Sequence, residues 1–483
     1  MKRKLFLWIF TALFVGSAIY ASFFVYKIYS VGRKVNIQAD HGSSLARTLS
    51  SFSDSRSSAL RGAEDGRLDI LLLGMAGKGK PGQYLTDTLM VASINLETNR
   101  VSLLSLPRDL YVRIPDADIN TKINSIYQYG LGPERKNVSA AAGLATKAVT
   151  EITGLDMDYF VIINFDGFEQ AIDDIGGVNI INERDIHDSR YPGPNYSYET
   201  FELSKGFHNL DGATALKYAR QRHGDPEGDF GRAKRQQQIM QAAKNKIFST
   251  GMIFNAFALN DLLDTLGENI QTDISPEEFY SFFELTKRLD TQNINNVVID
   301  AWNKESLLKV SHVQYGAVRA FVLVPRVGNY SEIQELAENI FNLNELKRKR
   351  EEIAREDARI FIENRSGKPG LTEKIEKVLK ENLNYKNISV SSRPGKMTLE
   401  KTIAYDMTDG QKPFTLNELV TKLPAEASYE KGQLSEESQK NETIDIFLVL
   451  GKDVVEIYDI EEGTLDDLNR SNDEQENLEY NKN

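Results

Sequence analysis

The sequence predicts a mixed α/β protein, in which a central mixed sheet is covered by helices and a second, small α/β unit follows. Two observations support this fold class. Short apolar runs that end at a turn residue, such as residues 68–74, are typical of buried strands. These runs alternate with longer segments of helical periodicity, such as residues 140–153, which end before Gly154. Strands that alternate with helices indicate a sheet with helices on its faces.

The predicted elements follow in order along the chain. Residues 251–345 are expected to be mostly helical, with strands near 295–299 and 319–324. Residues 345–357 carry dense mixed charge and are interpreted as a solvated linker helix. The other predicted strands are 68–74, 88–94, 101–106, 159–165, 178–181, 358–363, 387–390 and 444–450, and the predicted helices are 140–153, 168–175, 211–218, 233–248 and 371–383.

The composition excludes several kinds of chemistry. The 483 residues contain no cysteine, which excludes disulfides, thiolate nucleophiles and cysteine-ligated metals. The five histidines form no HExxH pair, so a histidine-rich metal site is not expected. A net charge of -12 argues against nucleic acid as a partner, because nucleic-acid-binding domains are usually basic.

An apolar segment near the N-terminus predicts attachment to a membrane. Residues 5–26 contain no charged side chain, and as a helix they would span about 33 Å, enough to cross a bilayer core. Basic residues at positions 2–4 favour a cytoplasmic N-terminus and extracellular domains in the cell membrane. We expect a single-pass, uncleaved anchor. A cleaved signal peptide is the alternative, and basic residues after the span weaken the charge bias.

Composition and periodicity divide the chain into six predicted regions. The stretch after the apolar segment is rich in Ser, Arg and Gly, which is typical of a flexible stalk, and the last residues are acidic and polar. The regions are a cytoplasmic tip and anchor (1–30), a stalk (31–65), a first domain (66–345), a charged linker (346–357), a second domain (358–455) and an acidic disordered tail (456–483).

Arginine is concentrated at the ends of predicted elements, although the chain is acidic. Arg108 and Asp109 follow the strand 101–106, at the kind of sheet edge where α/β proteins bind ligands. A guanidinium group binds two phosphate oxygens at once, so this pattern indicates a phosphate-bearing ligand. Solvated or ion-paired arginines are the alternative at each position. The candidate phosphate-binding residues are Arg108, Lys122, Arg220, Arg222, Arg232, Arg235 and Gln236.

Spacing predicts how two of these groups are arranged. Arg220 and Arg222 are expected just past a helix, where an extended segment would point both side chains the same way. Arg232, Arg235 and Gln236 are expected on one helix face, which continues as an apolar face. A polar face that becomes apolar suits the floor of a pocket.

Asp87 is the candidate metal ligand. Carboxylates beside phosphate-binding arginines commonly hold a cation that also contacts phosphate oxygens, so we predict Mg²⁺ or Mn²⁺ as cofactor. A turn or capping aspartate is the alternative. The glycine-rich residues 74–82 lack the Gly-Lys-Ser/Thr ending of a P-loop. They are interpreted as a flexible turn that offers backbone amides to anions at most.

Eight short motifs follow one another between residues 68 and 250. They are Asp-Ile-Leu-Leu-Leu-Gly (69–74), Thr-Asp-Thr (86–88), Ser-Leu-Pro-Arg-Asp (105–109), Lys-Ile-Asn (122–124), Asn-Phe-Asp-Gly-Phe (164–168), Asp-Ile-Gly-Gly-Val (174–178), Leu-Asp-Gly-Ala-Thr-Ala-Leu-Lys-Tyr-Ala-Arg (210–220) and Arg-Ala-Lys-Arg-Gln (232–236). In number and order they resemble the LytR-CpsA-Psr (LCP) domain of bacterial cell-envelope proteins. The first domain, 66–345, is therefore interpreted as an LCP catalytic domain, and 358–455 is similar to the LytR-type C-terminal domain.

The resemblance implies a membrane-anchored phosphotransferase. Such proteins move a glycopolymer from a polyprenyl-pyrophosphate lipid to peptidoglycan, outside the membrane. It further implies that Asp87 binds Mg²⁺ and that Asp109, beside Arg108, helps to position that arginine or the acceptor; the catalytic residues would be Arg108, Asp109 and Asp87. The residues implied to hold the pyrophosphate are Arg108, Arg220, Arg232 and Gln236.

Two positions depart from the family pattern. Ala76 stands where an aspartate is usual, and Leu85 stands where an arginine is usual. One metal ligand and one phosphate contact are therefore absent, and Lys78, Lys80 and Asp109 are candidates to replace them.

Three other functions stay open on the sequence. A non-catalytic module that binds polyprenyl-phosphate lipids or cell-wall glycans would tolerate the two departures, and a pyrophosphate hydrolase would act on the same lipids with water as acceptor. Transcription regulation, suggested by the family's naming, is disfavoured by the acidic charge and the outward topology.

Overall fold

The structure is a computed structural model that describes residues 60–193, 197–249, 269–275, 278–301, 306–315, 318–391, 398–430, 434, 443–455, 457 and 461–462. The predicted anchor, most of the predicted stalk and most of the acidic tail lie outside these residues. Within the described ranges, no helix is both long and apolar enough to cross a membrane.

The secondary structure alternates between strands and helices. In chain order the strands are β1 (Arg67–Met75), β2 (Thr86–Asn95), β3 (Arg100–Leu106), β4 (Tyr111–Arg113), β5 (Asn120–Lys122), β6 (Tyr159–Asn164), β7 (Val178–Asn182), β8 (Ile186–Pro192), β9 (Tyr198–Leu203), β10 (Gly206–Leu210), β11 (Ile270–Thr272), β12 (Asp290–Val298), β13 (Leu308–Tyr315), β14 (Val318–Pro325), β15 (Ile360–Asn364), β16 (Ile388–Val390), β17 (Thr402–Asp406), β18 (Ala425–Ser428), β19 (Ile446–Leu450) and β20 (Glu461–Glu462). The helices are α1 (Ile126–Gly130), α2 (Val138–Thr153), α3 (Phe165–Asp174), α4 (Gly212–Arg220), α5 (Gly228–Ser249), α6 (Phe279–Arg288), α7 (Ser331–Glu338), α8 (Leu343–Glu356), α9 (Leu371–Lys377) and α10 (Pro413–Lys422).

The chain forms two compact units. Unit 1 comprises the residues up to Arg108, Ile114–Ala148 and Asp156–Val298. Unit 2 comprises Asp109–Arg113, Val149–Leu155 and the residues from Ile299 onward.

Unit 1 is built on a six-stranded mixed sheet, in the order β11-β6-β1-β2-β3-β12. Strands β1, β2 and β3 pair antiparallel, whereas β6 runs parallel to β1 and β12 runs parallel to β3. Leu71 and Leu73 of β1 are buried, as are Val91 of β2 and Leu104 of β3, because apolar runs in central strands are covered on both faces. The predicted mixed sheet with covering helices is therefore confirmed.

A second apolar cluster in unit 1 joins helices α3, α4 and α5 to two two-stranded antiparallel sheets, one formed by β7 with β10 and one by β8 with β9. Helix α4 begins as predicted, since the Asp211 side chain accepts a hydrogen bond from the Thr214 amide at 2.8 Å. It continues to Arg220, so the prediction that Arg220 lies in an extended segment was wrong. The helical turn from Lys217 to Arg220 carries basic side chains, which favour a helix C-terminus.

The segment 251–345 contains more strand than predicted. In its described residues it carries β11, β12, β13 and β14. Strand β13, which the sequence analysis missed, pairs antiparallel with β14 along its full length. Its first residues alternate between apolar and polar side chains, from Leu308 and Lys309 to Val310 and Ser311, which is the period of a strand.

Unit 2 contains a five-stranded sheet in the order β16-β15-β19-β17-β18. Buried residues of β15, β19, α9 and α10 form its apolar core. The predicted strands at 358–363, 387–390 and 444–450 correspond to β15, β16 and β19, and the charged segment 345–357 lies in α8.

A carboxylate at the start of β6 makes the stability of unit 1 depend on pH. The Asp158 side chain accepts a hydrogen bond from the Asp69 amide at 2.8 Å, and burial together with the nearby Asp69 carboxylate raises the pKa of Asp158 to about 6. Because the folded chain holds this proton more tightly, this group's contribution to stability is present at low pH and is lost as pH rises through about 6.

We expect the difference in free energy of unfolding between Asp158→Asn and the wild type to depend on pH. It should favour the variant by about 1 kcal/mol more at pH 7.5 than at pH 4, after allowance for solvent screening. Urea unfolding of the full chain at both pH values measures this difference. Asp156→Asn, an exposed neighbouring position, is the control. Equal effects of Asp158→Asn at the two pH values would contradict the expectation.

Candidate functional site

Four strand ends meet at one edge of the six-stranded sheet. Strands β1, β3 and β6 run in one direction and end there, at Met75, Leu106 and Asn164, whereas β2 runs the opposite way and begins there at Thr86. The carboxyl ends of strands are where α/β sheets usually place ligands. This edge brings together the chain segments that carry several of the predicted site residues.

Asp87, the second residue of β2, lies within a cluster of donors. Arg108 Nη1 donates to Asp87 Oδ1 at 3.2 Å, and Asn124 Nδ2 donates to the same oxygen at 3.1 Å. Asn124 is held in place because its amide donates to the Arg108 carbonyl and its own carbonyl accepts from Thr86 Oγ1 at 3.3 Å. The Arg108 side chain is 11% exposed and that of Asp87 is 36% exposed, so the arginine is sheltered while the carboxylate reaches solvent.

Arg232, from the first turns of α5, completes this cluster. Its Nη2 donates to the Asp87 backbone carbonyl at 3.0 Å, and the residue is 7% exposed. Burial acts to raise the pKa of Asp87, but the positive charges of Arg108 and Arg232 outweigh it and lower the pKa. Two guanidinium groups beside one carboxylate form an arrangement suited to an anionic ligand, because guanidinium groups bind phosphate and carboxylate oxygens with charge-assisted hydrogen bonds.

Helix α5 is fixed to the sheet by a residue that the sequence analysis did not select. Gln237 is buried, and its Nε2 donates to Ser105 Oγ at 2.8 Å and to the Val297 carbonyl at 3.2 Å. These bonds join α5 to β3 and β12, which fixes the position of Arg232 relative to the strand end that carries Arg108.

The Arg235 side chain donates hydrogen bonds to three acceptors within the protein. Its Nε donates to the Tyr218 carbonyl at 3.0 Å, its Nη1 donates to Asp225 Oδ2 at 2.5 Å, and its Nη2 donates to the Gln221 carbonyl. The guanidinium group thereby holds the segment that follows α4. These contacts give Arg235 a positioning role, and its predicted binding of phosphate stays a prediction.

Arg220 is held by aromatic rings. Its guanidinium carbon lies 4.4 Å from the centroid of Phe165 and 5.5 Å from that of Tyr191. Among the described residues, the structure records no hydrogen bond or ion pair from the Arg220 side chain. Stacking of this kind orients a guanidinium plane and leaves its N–H edge available. Gln236 Nε2 donates to the carbonyl of Ala219 at 3.4 Å, so α5 also contacts the end of α4 that carries Arg220.

The structure also places the remaining predicted residues, Arg222, Lys122 and Asp109. Arg222 lies two residues beyond α4 and is half-buried, and Lys122, also half-buried, ends β5. Asp109 is buried within unit 2, where its carbonyl accepts a hydrogen bond from the Leu323 amide at 2.9 Å.

Sequence reasoning missed four residues that shape this region. Asn124 belongs to the Lys-Ile-Asn motif, so its signal was present, but the charged Lys122 was selected instead. Gln237 directly follows the selected Gln236. Phe165 belongs to the Asn-Phe-Asp-Gly-Phe motif, and Tyr191 belongs to no motif; neither was selected, because an aromatic residue in a strand or helix is usually part of the core.

The chain is thus a mixed α/β protein whose sheet edge carries two arginines around a carboxylate, an arrangement suited to an anionic ligand. Residues 23–319 match the LytR_cpsA_psr family, which is more than half of the chain, and the protein belongs to this family.

Individual relatives match over parts of their length. The polyisoprenyl-teichoic acid–peptidoglycan teichoic acid transferase TagU of Oceanobacillus iheyensis is 35% identical over 218 residues, which are 44% of this chain and 61% of that protein. The regulatory protein MsrR of Staphylococcus aureus is 40% identical over 185 residues, which are 38% of this chain and 50% of that protein. The chain thus spans 50% to 61% of the length of these two relatives. The crystal structure of B. subtilis TagV matches with a TM-score of 0.43 at 22% identity, covering 56% of this chain and 96% of that one.

Proposed function

We propose that this protein is a membrane-anchored phosphotransferase that moves a glycopolymer from a polyprenyl-pyrophosphate carrier to peptidoglycan during cell-wall assembly. The observation that carries the proposal is the cluster in which Arg108 and Arg232 surround Asp87 at the sheet edge. Membership of the LytR_cpsA_psr family and similarity to a protein named as a teichoic acid transferase support it.

In this proposal the arginines bind the diphosphate of the carrier. Arg108, Arg220, Arg232 and Gln236 contact its oxygens, and charge-assisted hydrogen bonds of this kind are strong. A hydroxyl of the acceptor sugar attacks the phosphorus that bears the glycopolymer, the bond to the bridging oxygen breaks, and polyprenyl phosphate leaves. Such a transfer depends mainly on the position of the reactants and on neutralisation of the developing charge.

The fit of Mg²⁺ or Mn²⁺ depends on Asp87. One of its oxygens accepts from Arg108 and Asn124, and the described residues contain no group of three His, Asp or Glu side chains that could hold a metal ion. Position 76, where the family pattern has an aspartate, is a buried alanine. The residues fit a cation that is shared between a single carboxylate and the substrate's phosphate oxygens, a mode that Mg²⁺ uses. Bound in this way, the cation would neutralise phosphate charge, and Asp87 would be its protein ligand.

Two further parts of the proposal rest on the sequence. The apolar residues 5–26 are proposed to anchor the chain, with the N-terminus in the cytoplasm and both units outside the cell. Residues 358–455 are proposed to be a LytR-type C-terminal domain.

A non-catalytic lipid-binding function is the second candidate. Ala76 and Leu85 favour it, because each removes a charged group that the family pattern places at the reacting phosphates. Binding and transfer share the same arginines, so the two candidates differ in whether the bound carrier is cleaved.

Binding of the carrier can be tested on the full chain purified in detergent. We expect mass spectrometry of extracted lipids to find polyprenyl phosphate or pyrophosphate with the wild type and much less with Arg220→Ala. This substitution should leave the fold intact, because no hydrogen bond from the Arg220 side chain is recorded among the described residues. Lys147→Ala, which removes an exposed ion pair to Asp116, is the matched control. Absence of such lipid from the wild type, even after incubation with synthetic polyprenyl pyrophosphate, would contradict the proposal.

A further inference from the structure

The glycine-rich loop between β1 and β2 has a defined structure. Gly77, with φ of 92°, donates its amide to the Gln83 carbonyl at 3.2 Å and accepts a hydrogen bond from the Lys80 amide at 3.3 Å. A Cβ atom at position 77 would lie 3.0 Å from the Asn164 Cβ, so glycine lets the loop approach the end of β6. The sequence analysis interpreted this segment as a flexible turn, whereas these bonds give its backbone a defined conformation.

One lysine of this loop reaches the neighbourhood of Arg220. Lys80 Nζ lies 2.6 Å from Asp166 Oδ1 and 5.8 Å from the centroid of Phe165, the same ring on which Arg220 stacks at 4.4 Å. Two cations from distant parts of the sequence therefore contact one aromatic side chain. Neither is fully exposed, since the Lys80 side chain is 34% exposed and Arg220 is half-buried.

The partner of Lys80 does not hold it tightly. The Asp166 side chain is 62% exposed, and ion pairs exposed in this way contribute about 0–1 kcal/mol. A diphosphate carries more negative charge than a single carboxylate, so the ammonium group can turn from Asp166 to a phosphate at small cost. Asp166 thus keeps Lys80 near Phe165 when no anion is bound.

We propose that Lys80 is a diphosphate-binding residue, and that it supplies the positive charge that this chain lacks at Leu85. This inference rests on the proposed function, because it names a further binding residue of the same site. The lysine comes from the loop that directly precedes β2, and Leu85 lies at the end of that loop. Compared with the family pattern, the positive side chain therefore lies at position 80, in the middle of the loop, instead of at position 85, next to β2.

The same loop offers a matched control. Lys78 lies two residues before Lys80 and is exposed, and no ion pair or ring contact is recorded for it among the described residues. Both lysines carry the same charge on the same loop. A difference in affinity between the Lys80 and Lys78 variants therefore distinguishes a specific contact from a general electrostatic attraction.

The test measures the affinity of the full chain for farnesyl pyrophosphate, a soluble probe that carries a diphosphate on a short prenyl chain. We expect Lys80→Ala and Lys80→Met to weaken binding about tenfold, the usual loss for a hydrogen bond to a charged group. Lys78→Ala should change the affinity less than twofold. Leu85→Arg added to Lys80→Ala should restore most of the affinity, because it returns a guanidinium group to the family's position.

The outcomes separate this inference from the proposed function. Wild-type affinity in both Lys80 variants, or an equal loss in Lys78→Ala, would overturn the role of Lys80 while the carrier-binding proposal stands. If Leu85→Arg added to Lys80→Ala recovers no affinity, the inference that Lys80 replaces the arginine of the family pattern at position 85 is wrong. If the wild type does not bind the probe or the synthetic carrier at all, the proposed function itself fails. Circular dichroism of each variant confirms that the fold is intact.

Discussion

Replacement of Arg108 by alanine is expected to lower the rate of glycopolymer transfer by about 10²–10³-fold, the usual cost of removing one preorganised donor from developing charge. The effect should be large because Arg108 is sheltered and points at Asp87. Without this guanidinium group, the site loses one of the two positive charges beside Asp87 and attracts the incoming diphosphate less strongly. Initial rates of transfer with the purified full chain measure the loss.

Two variants sharpen this test. Arg113→Ala removes an exposed arginine a few residues away and should keep nearly full activity. Arg108→Lys keeps the charge but loses the planar fork, so we expect it to recover part of the rate. An Arg108→Ala variant that folds and transfers glycopolymer at more than about a tenth of the wild-type rate would contradict the assigned role, because a lost transition-state donor costs more.

The second large effect that we expect is a loss of stability of unit 2 when a buried ion pair is broken. In unit 2, Arg326 donates to Glu332 through both Nε and Nη2, each at 2.7 Å, and the two residues are 7% and 8% exposed. Glu332→Ala removes the carboxylate and leaves the buried guanidinium group without this bidentate partner. We expect the free energy of unfolding of unit 2 to fall by about 3–5 kcal/mol, as for other broken buried pairs.

An exposed ion pair in the same unit provides the comparison. Lys452 contacts Glu400, whose side chain is 79% exposed. Glu400→Ala should cost less than about 1 kcal/mol, because water already solvates both charges. Denaturant unfolding of the full chain measures both variants. Equal effects of Glu332→Ala and Glu400→Ala would show that burial does not strengthen the Arg326–Glu332 pair.

The central sheet could be predicted from the sequence because its buried strands are short apolar runs. Such runs are a local pattern, which can be recognised without knowing which distant residues lie nearby in the fold. Strands β1, β2 and β3 lie where the pattern placed them, and so does the cap at Asp211. The hairpin of β8 and β9 was missed. Its strands bury one face and expose the other, with exposed polar residues such as His187 and Glu202 paired across it, so no continuous apolar run marks them.

The candidate site was predicted in composition but only partly in geometry. Helical spacing placed Arg232 and Arg235 on one face, yet Arg232 contacts Asp87 while Arg235 contacts Asp225 and holds the chain. Spacing cannot distinguish these two, because the difference depends on which carboxylate the tertiary fold brings near each arginine. The same reason explains why the shared contact of Arg220 and Lys80 with Phe165 was not foreseen.

The most direct test of the transferase proposal is product analysis with the full chain, a polyprenyl-pyrophosphate-linked glycopolymer and peptidoglycan in the presence of Mg²⁺. The proposal predicts that glycopolymer becomes covalently attached to peptidoglycan, that polyprenyl phosphate is released in equal amount, and that the carrier stays intact without acceptor. Cleavage at the same rate without acceptor would indicate a hydrolase, and a carrier that is bound but never cleaved would indicate a binding module. Either result would contradict the transferase proposal.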